Sequence, residues 1–279
     1  MLEIPEAAGL VRQLNQTVFG KTIRQVIAAQ NPHGFAWYHG DPSGYASLMV
    51  GKKIGNAVNP GGMVEIVVED VYLLFSDGIN LRYHQTSSDQ PLKHQLLIVF
   101  EDSTSISATV AMYGGLSCFP QGTNDNPYYL AARQKTSPLA DAFSKDYFMG
   151  LFLPGTENYS LKAFLATEQR IPGLGNGVLQ DILFNAQIHP KRKVLTLSSQ
   201  EIDMLFHAIK RTLKTMADLG GRDTEKDLFG NPGGYQTRMS KNTVGQPCQV
   251  CGNLVIKQAY MGGSVYFCPV CQTESLPSN

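Results

Sequence analysis

The chain holds 279 residues, 43 % hydrophobic and 16 % charged, which suits two domains or one large one with a real apolar core. Its 23 basic and 23 acidic side chains cancel, so overall charge announces no nucleic-acid partner and any basic surface must be local. It has no run of about 18 apolar residues, as a membrane-spanning helix needs, and no basic stretch leading into an apolar one at the N-terminus, so a soluble, cytoplasmic protein without membrane contact is expected.

Residues 7–19 read as a helix, with Leu10, Val11, Leu14 and Val18 at helical spacing and Gly20 as its stop. From about residue 23 to 120 the pattern turns to short β-rich runs: MVEIVVED, VYLLFSDG, HQLLIVFED and SISATVAMY. Asp-Gly, Asn-Pro-Gly-Gly and Glu-Asp-Ser turn signals punctuate them, which predicts a sandwich or barrel. Trp37 and Tyr38 read as core, Cys118 as a small buried hydrophobe, and His84 and His94 as structural or surface groups. The turn formers at 121–127 suggest a linker. Helical patterns follow at 128–143, 161–167, 177–186 and 199–219, with His189 closing the third. Asp181 caps or pairs locally, and Lys210, Arg211 and Lys214 form a solvated basic face. Residues 220–243 are rich in Gly, Asp, Asn and Lys and read as a loop. The domain limits expected from this are 1–122, 123–243 and 244–279.

The last segment carries the most specific signal. Cys248 and Cys251 form one C-x2-C pair and Cys268 and Cys271 another, with sixteen residues between. Four thiolates at that spacing suit one structural Zn2+ in a tetrahedral site; disulfides are disfavoured without an export signal. LVIKQAY and SVYFC alternate like strands around Met-Gly-Gly, so the unit reads as a metal-bound hairpin. Its tip, with Lys257, Tyr260 and two glycines, could lie against nucleic acid or protein.

Upstream, Pro172, Gly173 and Gly175 break two helical patterns, and Asn176 sits where a helix N-cap belongs. Glycines let a partner approach the backbone, and a helix start favours an anion. With Lys162, Lys191, Arg192 and Lys193 nearby, this turn reads as a phosphate-binding element that needs only a local patch of charge.

MLEIPEA at the start, GLGN between two helices and the paired cysteines at the end, in that order, resemble the formamidopyrimidine-DNA glycosylase/endonuclease VIII (Fpg/Nei) family across the whole chain. The resemblance implies an α+β fold: an N-terminal helix with a two-sheet β-sandwich, then a helix-two-turn-helix domain with a C-terminal zinc β-hairpin finger. It implies a monomeric, nucleoid-associated partner of double-stranded DNA carrying a damaged or abasic nucleotide. It further implies catalytic roles for Glu3 and Glu6, with Leu2 at the position of the nucleophile, and DNA contacts from Lys162, Gly175, Asn176, Lys257 and Ser264. Glu3 would protonate the sugar ring oxygen or shuttle protons, although acids before a helix also simply complement its dipole.

Four positions depart from the family pattern. Leu2 replaces a proline whose amine attacks the sugar, leaving the free amine to Met1, or to Leu2 if Met1 is removed. Val71 replaces a phosphate-binding lysine, with Lys52 and Lys53 upstream. Ser264 replaces an arginine and loses a charged bidentate contact. The side chains that fill the gap left by an extruded base are not evident, and Met112 and Tyr113 are the bulky candidates. Two functions stay open: a bifunctional DNA glycosylase and abasic-site (β-elimination) lyase with an altered, degenerate site, or a non-catalytic reader of damaged or distorted DNA. A zinc-ribbon protein with another partner is a third, marked by absence of salt-dependent DNA binding.

Overall fold

The computed structural model describes residues 1–274. The chain divides into two compact units: Met1–Arg133 with Ala217–Gly234, and Gln134–Met216 with the residues from Tyr235 onward. Segment 217–234, placed by sequence with the helices, makes its contacts in the first unit. Glycines make that return possible. Gly220 and Gly221 adopt left-handed backbone (φ 80° and 105°), and a Cβ on Gly233 would sit 2.3 Å from the Gly221 carbonyl.

The first unit opens with α1 (Ile4–Thr17), three residues ahead of the apolar pattern. Pro5 explains the early start, because a proline in the first helical turn loses no hydrogen bond. Leu10 and Leu14 bury one face of α1, while Glu6 occupies the dipole-favoured first turn. Seven strands follow: β1 (Ile23–Ala28), β2 (Ala36–His39), β3 (Ile54–Val58), β4 (Val64–Val68), β5 (Val71–His84), β6 (Leu96–Phe100) and β7 (Ser105–Pro120), with a short α2 (Tyr45–Met49) after β2. They are ordered β1-β6-β7-β5-β4-β3, with β2 added in parallel on β7. The β5–β7 pair runs through both layers. Val71–Asp77 pairs with Gly114–Pro120, Ile79–His84 pairs with Ser105–Val110, and the register breaks between Asp77 and Ile79. Strands β2, β3 and β4 flank the first half and β1 and β6 the second. Ile66, Phe75, Ile79, Ile98 and Phe100 from both halves join Leu10 and Leu14 in one core.

Two local expectations change. Asp77-Gly78 is no turn but a bulge inside a continuous strand: Asp77 takes a left-handed φ of 58°, and a Cβ on Gly78 would stand 2.3 Å from the Tyr113 carbonyl oxygen. Trp37 is not core. It lies on the four-residue edge strand β2 and is 53 % exposed, while Tyr38 is half-buried with its hydroxyl on the Gln95 carbonyl (3.3 Å). Cys118 is buried as expected, its thiol pushed up to about 12 by burial. Buried His84 bonds the Ser107 hydroxyl (2.8 Å).

Helix α3 (Pro127–Gln134) ends well before residue 143 because Pro138 bars a continuing helix. Its Tyr129 and Arg133 bond the buried Glu65 carboxylate at 2.5 and 2.7 Å.

The second unit contains α4 (Lys145–Met149), α5 (Leu161–Ala166), α6 (Asn176–Asn185), α7 (Ser199–Asp218, which runs on into the first unit) and the hairpin β8 (Ile256–Tyr260)–β9 (Gly263–Phe267). Met261 and Gly262 both have positive φ (50° and 69°), the two-residue turn that matches strand twist. Ser160 caps α5 by accepting from the Ala163 N–H. Lys210 is not a purely solvated cation, since its Nζ donates to the Ala140 and Phe143 carbonyls. Among the described residues no helix is long and apolar enough to cross a membrane.

Candidate functional site

The N-terminal site is built from three stretches of the first unit. The first turn of α1 supplies Glu3 and Glu6, both buried at 3 % and 6 % exposure. The returning loop supplies Arg222, itself 3 % exposed. Arg222 donates from its backbone N and Nε to Glu6 Oε1 (3.1 and 2.9 Å) and from Nη2 to Glu6 Oε2 (2.9 Å); its Nη1 lies 3.7 Å from Glu3 Oε2. Burial opposes the charged guanidinium, but the Glu3 and Glu6 carboxylates outweigh it and raise the Arg222 pKa above its ordinary value. One guanidinium thus faces two carboxylates.

The third stretch is the β5 bulge. The left-handed turn at Asp77 aims its carbonyl at the Leu2 N–H, which donates to it at 2.6 Å. The Leu2 side chain enters the hydrophobic core. The terminal ammonium of Met1 pairs with Glu225, and the Tyr113 hydroxyl reaches the Met1 sulfur at 4.0 Å. Val71, at the start of β5, is 1 % exposed and offers no amine. Lys52 does return a cation to that hairpin, paired with the adjacent Asp70.

In the second unit, α5, α6 and the hairpin form another cluster. Gly175, not Asn176, is the N-cap of α6; Asn176 is its first helical residue. The Asn176 side chain is used elsewhere: Nδ2 donates to the Ser264 carbonyl (3.0 Å), which also accepts from Gln180 Nε2 (3.1 Å). Lys162 is buried, donates to the Tyr260 carbonyl (2.6 Å), and has its pKa lowered by that burial. Lys162 and Lys191 place Nζ 5.9 and 5.3 Å from the centroid of the Tyr260 ring. A Cβ on Gly263 would sit 3.4 Å from Lys162 Nζ, so Lys162, Asn176 and the hairpin tip converge. Lys257 is not brought there: it pairs across the hairpin with Tyr266 and lines a separate hollow with His189 and Gln272. Arg192 is also absent, being buried against Thr196 and Glu201.

The four Sγ atoms of Cys248, Cys251, Cys268 and Cys271 lie within 4.8 Å of one another. A tetrahedron of zinc–thiolate bonds separates sulfurs by about 3.8 Å, and the pairs Cys248–Cys271 and Cys251–Cys268 stand at 3.8 and 3.4 Å. The Asn253 backbone N–H first, and neighbouring thiols after it, hold the Cys251 thiol down to about 6. The four cysteines fit a zinc finger.

Residues 135–227 match the family model "Formamidopyrimidine-DNA glycosylase H2TH domain". The formamidopyrimidine-DNA glycosylase of Cytobacillus firmus is 26 % identical over 98 % of this chain and 100 % of its own. That of Thermus thermophilus is 29 % identical over 98 % of this chain and 99 % of its own. The crystal structure of the MutM (Fpg) protein from the same organism superposes with a TM-score of 0.81 at 27 % identity, covering 98 % of this chain and 100 % of that one. Together these likenesses support membership of the Fpg/Nei family. The fold is shared too by Lactococcus lactis Fpg in complex with DNA containing an abasic site (TM-score 0.83, 23 % identity).

The N-terminal site carries partners that sequence reading did not find. Arg222, Glu225 and Asp77 reach the N-terminal stretch, the first two from more than 200 residues away. The only local hint was the Gly220-Gly221-Arg222 string inside an otherwise polar loop. Asp181, read as a local cap, instead accepts from the backbone of Arg238 and Met239 (3.0 and 2.7 Å), fixing the chain that leads to the finger.

Proposed function

We propose that this protein is a base-excision-repair DNA glycosylase with abasic-site lyase chemistry, acting on double-stranded DNA at a damaged or abasic nucleotide. The observation that carries this reading is the pair of buried carboxylates, Glu3 and Glu6, held on Arg222 in the stretch that begins with the Met1 amine, itself paired with Glu225. The Arg222 guanidinium donates twice to Glu6 and the Arg222 backbone N–H once more, which makes Glu6 a positioning group and assigns the acid at the sugar to Glu3. The Met1 amine, deprotonated through Glu225, would add to C1′ of the target nucleotide. The base leaves with its bonding electrons and takes a proton; the C1′–O4′ bond then opens to give the imine, Glu3 supplying the proton to the ring oxygen. Loss of the C2′ proton from the resulting imine then expels the 3′ phosphate.

Lys162, Lys191, Asn176 and the Gly175 turn supply backbone-phosphate contacts, with the Ser264 hydroxyl in place of a charged grip. Cys248, Cys251, Cys268 and Cys271 would hold one Zn2+, which supplies a rigid closed crosslink and no chemistry. A monomer working at the nucleoid in the cytoplasm accords with this activity.

The test is borohydride trapping on a duplex with one abasic site, with the intact N-terminal mass read from the same sample. A covalent adduct lost in Glu3→Gln supports the reading, and the mass identifies which residue bears the amine. Binding to that duplex without any adduct overturns the lyase and leaves a non-catalytic reader. Leu2 favours that second reading, because its N–H is tied to the Asp77 carbonyl and its side chain to the core.

A further inference from the structure

Next to the carboxylates the first unit exposes an aromatic surface that the amine chemistry does not use. Trp37, the chain's one tryptophan, is 53 % exposed; Phe35 and Met112 are 62 % and 67 % exposed. The Tyr113 ring stands 5.7 Å from that of Trp37, centroid to centroid, tilted by 36°. Its hydroxyl reaches the Met1 sulfur at 4.0 Å, at the N-terminal site, and has its pKa raised by burial first, then by the charges of Asp77 and Glu3.

The backbone holds this surface outward. Trp37 pairs with Gly115 across the parallel β2–β7 ladder, and the Gly114 N–H donates to the Phe35 carbonyl (3.0 Å). A Cβ at Gly114 would lie 2.7 Å from Ile79 Cδ1, and one at Gly115 2.6 Å from Ser76 Oγ. With Gly78 opposite, these glycines let β5 and β7 close tightly at the bulge. Clustered exposed aromatics of this kind mark binding surfaces rather than ordinary scatter.

The charged groups beside the rings are carboxylates, which repel a backbone phosphate. The rings therefore suit an uncharged planar heterocycle. We propose that the exposed ring of Trp37, backed by that of Tyr113, forms a stacking subsite for the everted base of the target nucleotide, so that ring planarity of the lesion contributes to recognition. This rests on the DNA-glycosylase reading above.

Trp37 is its own reporter. The full-length protein is mixed rapidly with a duplex carrying an oxidised purine, and emission is read before strand cleavage. The same duplex with a baseless tetrahydrofuran residue is the control, and binding to both is followed independently by anisotropy of a labelled strand. Quenching by the oxidised purine well beyond that by the baseless duplex is expected. Trp37→Ala should weaken the first complex by roughly five- to a hundredfold, the range for one stacked base, and leave the second within about twofold. Trp37→Phe should recover most of the loss. Equal quenching by both duplexes, or binding without quenching and with no effect of Trp37→Ala, overturns the subsite while leaving DNA binding intact. Absence of anisotropy-detected binding to either duplex overturns the DNA reading itself, and the subsite with it.

Discussion

Arg222 and Glu6 are joined by three hydrogen bonds across 216 residues of chain. Both are buried, so neither charge has water to fall back on. Arg222→Met should cost about 3–5 kcal/mol, the penalty for leaving buried charge without its partner. Urea denaturation measures the loss. Because stranded carboxylates bind protons more readily when folded, the gap to the parent protein should narrow as pH falls. Arg222→Lys keeps the charge but not the forked geometry and should fall between the two.

Gly78→Ala tests the bulge. Its Cβ would meet the Tyr113 carbonyl oxygen at 2.3 Å, a backbone atom that cannot rotate away. A loss of about 2–3 kcal/mol in thermal or urea unfolding is expected. The Leu2–Asp77 contact should loosen with it, seen as faster amide exchange at Leu2.

Ser264→Arg should restore a charged phosphate contact on the hairpin. Affinity for an abasic-site duplex should rise about tenfold at low salt, and the slope of log K against log salt should steepen by about one. Lys191→Ala should do the reverse by a similar step. A slope unmoved by both would exclude this cluster from the phosphate contacts.

Burial lowers the His84 pKa below its usual 6.5, so the unfolded chain takes that proton at a higher pH than the folded one. Stability from this site is therefore full above about pH 6.5 and is lost as pH falls from there toward the folded value. His84→Gln keeps a hydrogen-bonding group for Ser107 without a titrating one. Its melting temperature should vary less than the parent's between about pH 7.5 and 5.5.

Metal analysis should find one zinc per chain. Chelation, or Cys268→Ser, should remove it and collapse the hairpin, because metal binding to such a module is also its folding energy. DNA binding should fall by at least about a hundredfold while the first unit keeps its own melting transition.

The parts of the fold that depend on local pattern could be read from the sequence. The cysteine spacing gave the finger, and the apolar spacing of α1, α6 and α7 gave those helices within a few residues. What could not be read depends on contacts distant in sequence. Asp77-Gly78 has the composition of a hairpin turn, and only the crossing of β5 by β7 at Tyr113 makes it a bulge. Trp37 looks like core by hydropathy, yet its short edge strand leaves it outside. Asn176 has the chemistry of a cap, but Gly175 takes that place because the hairpin claims the asparagine side chain. Arg222 lay inside a polar loop, and nothing in its neighbours names a partner at residue 6.

The pairing of the first helical turn with the 217–234 loop also sets an order of events during synthesis. At roughly 5–20 residues per second, the ribosome needs about 10–45 s after making Glu6 before it makes Arg222. From the synthesis of Pro120 onward the strands of the first unit are all present, but until Arg222 is made two carboxylates destined for its interior lack their counter-ion. The nascent sandwich must therefore wait, open at its N-terminal end, until most of the second unit's helices have been translated. The carboxylate site is thus among the last features of the first unit to close, although its glutamates are among the first residues made.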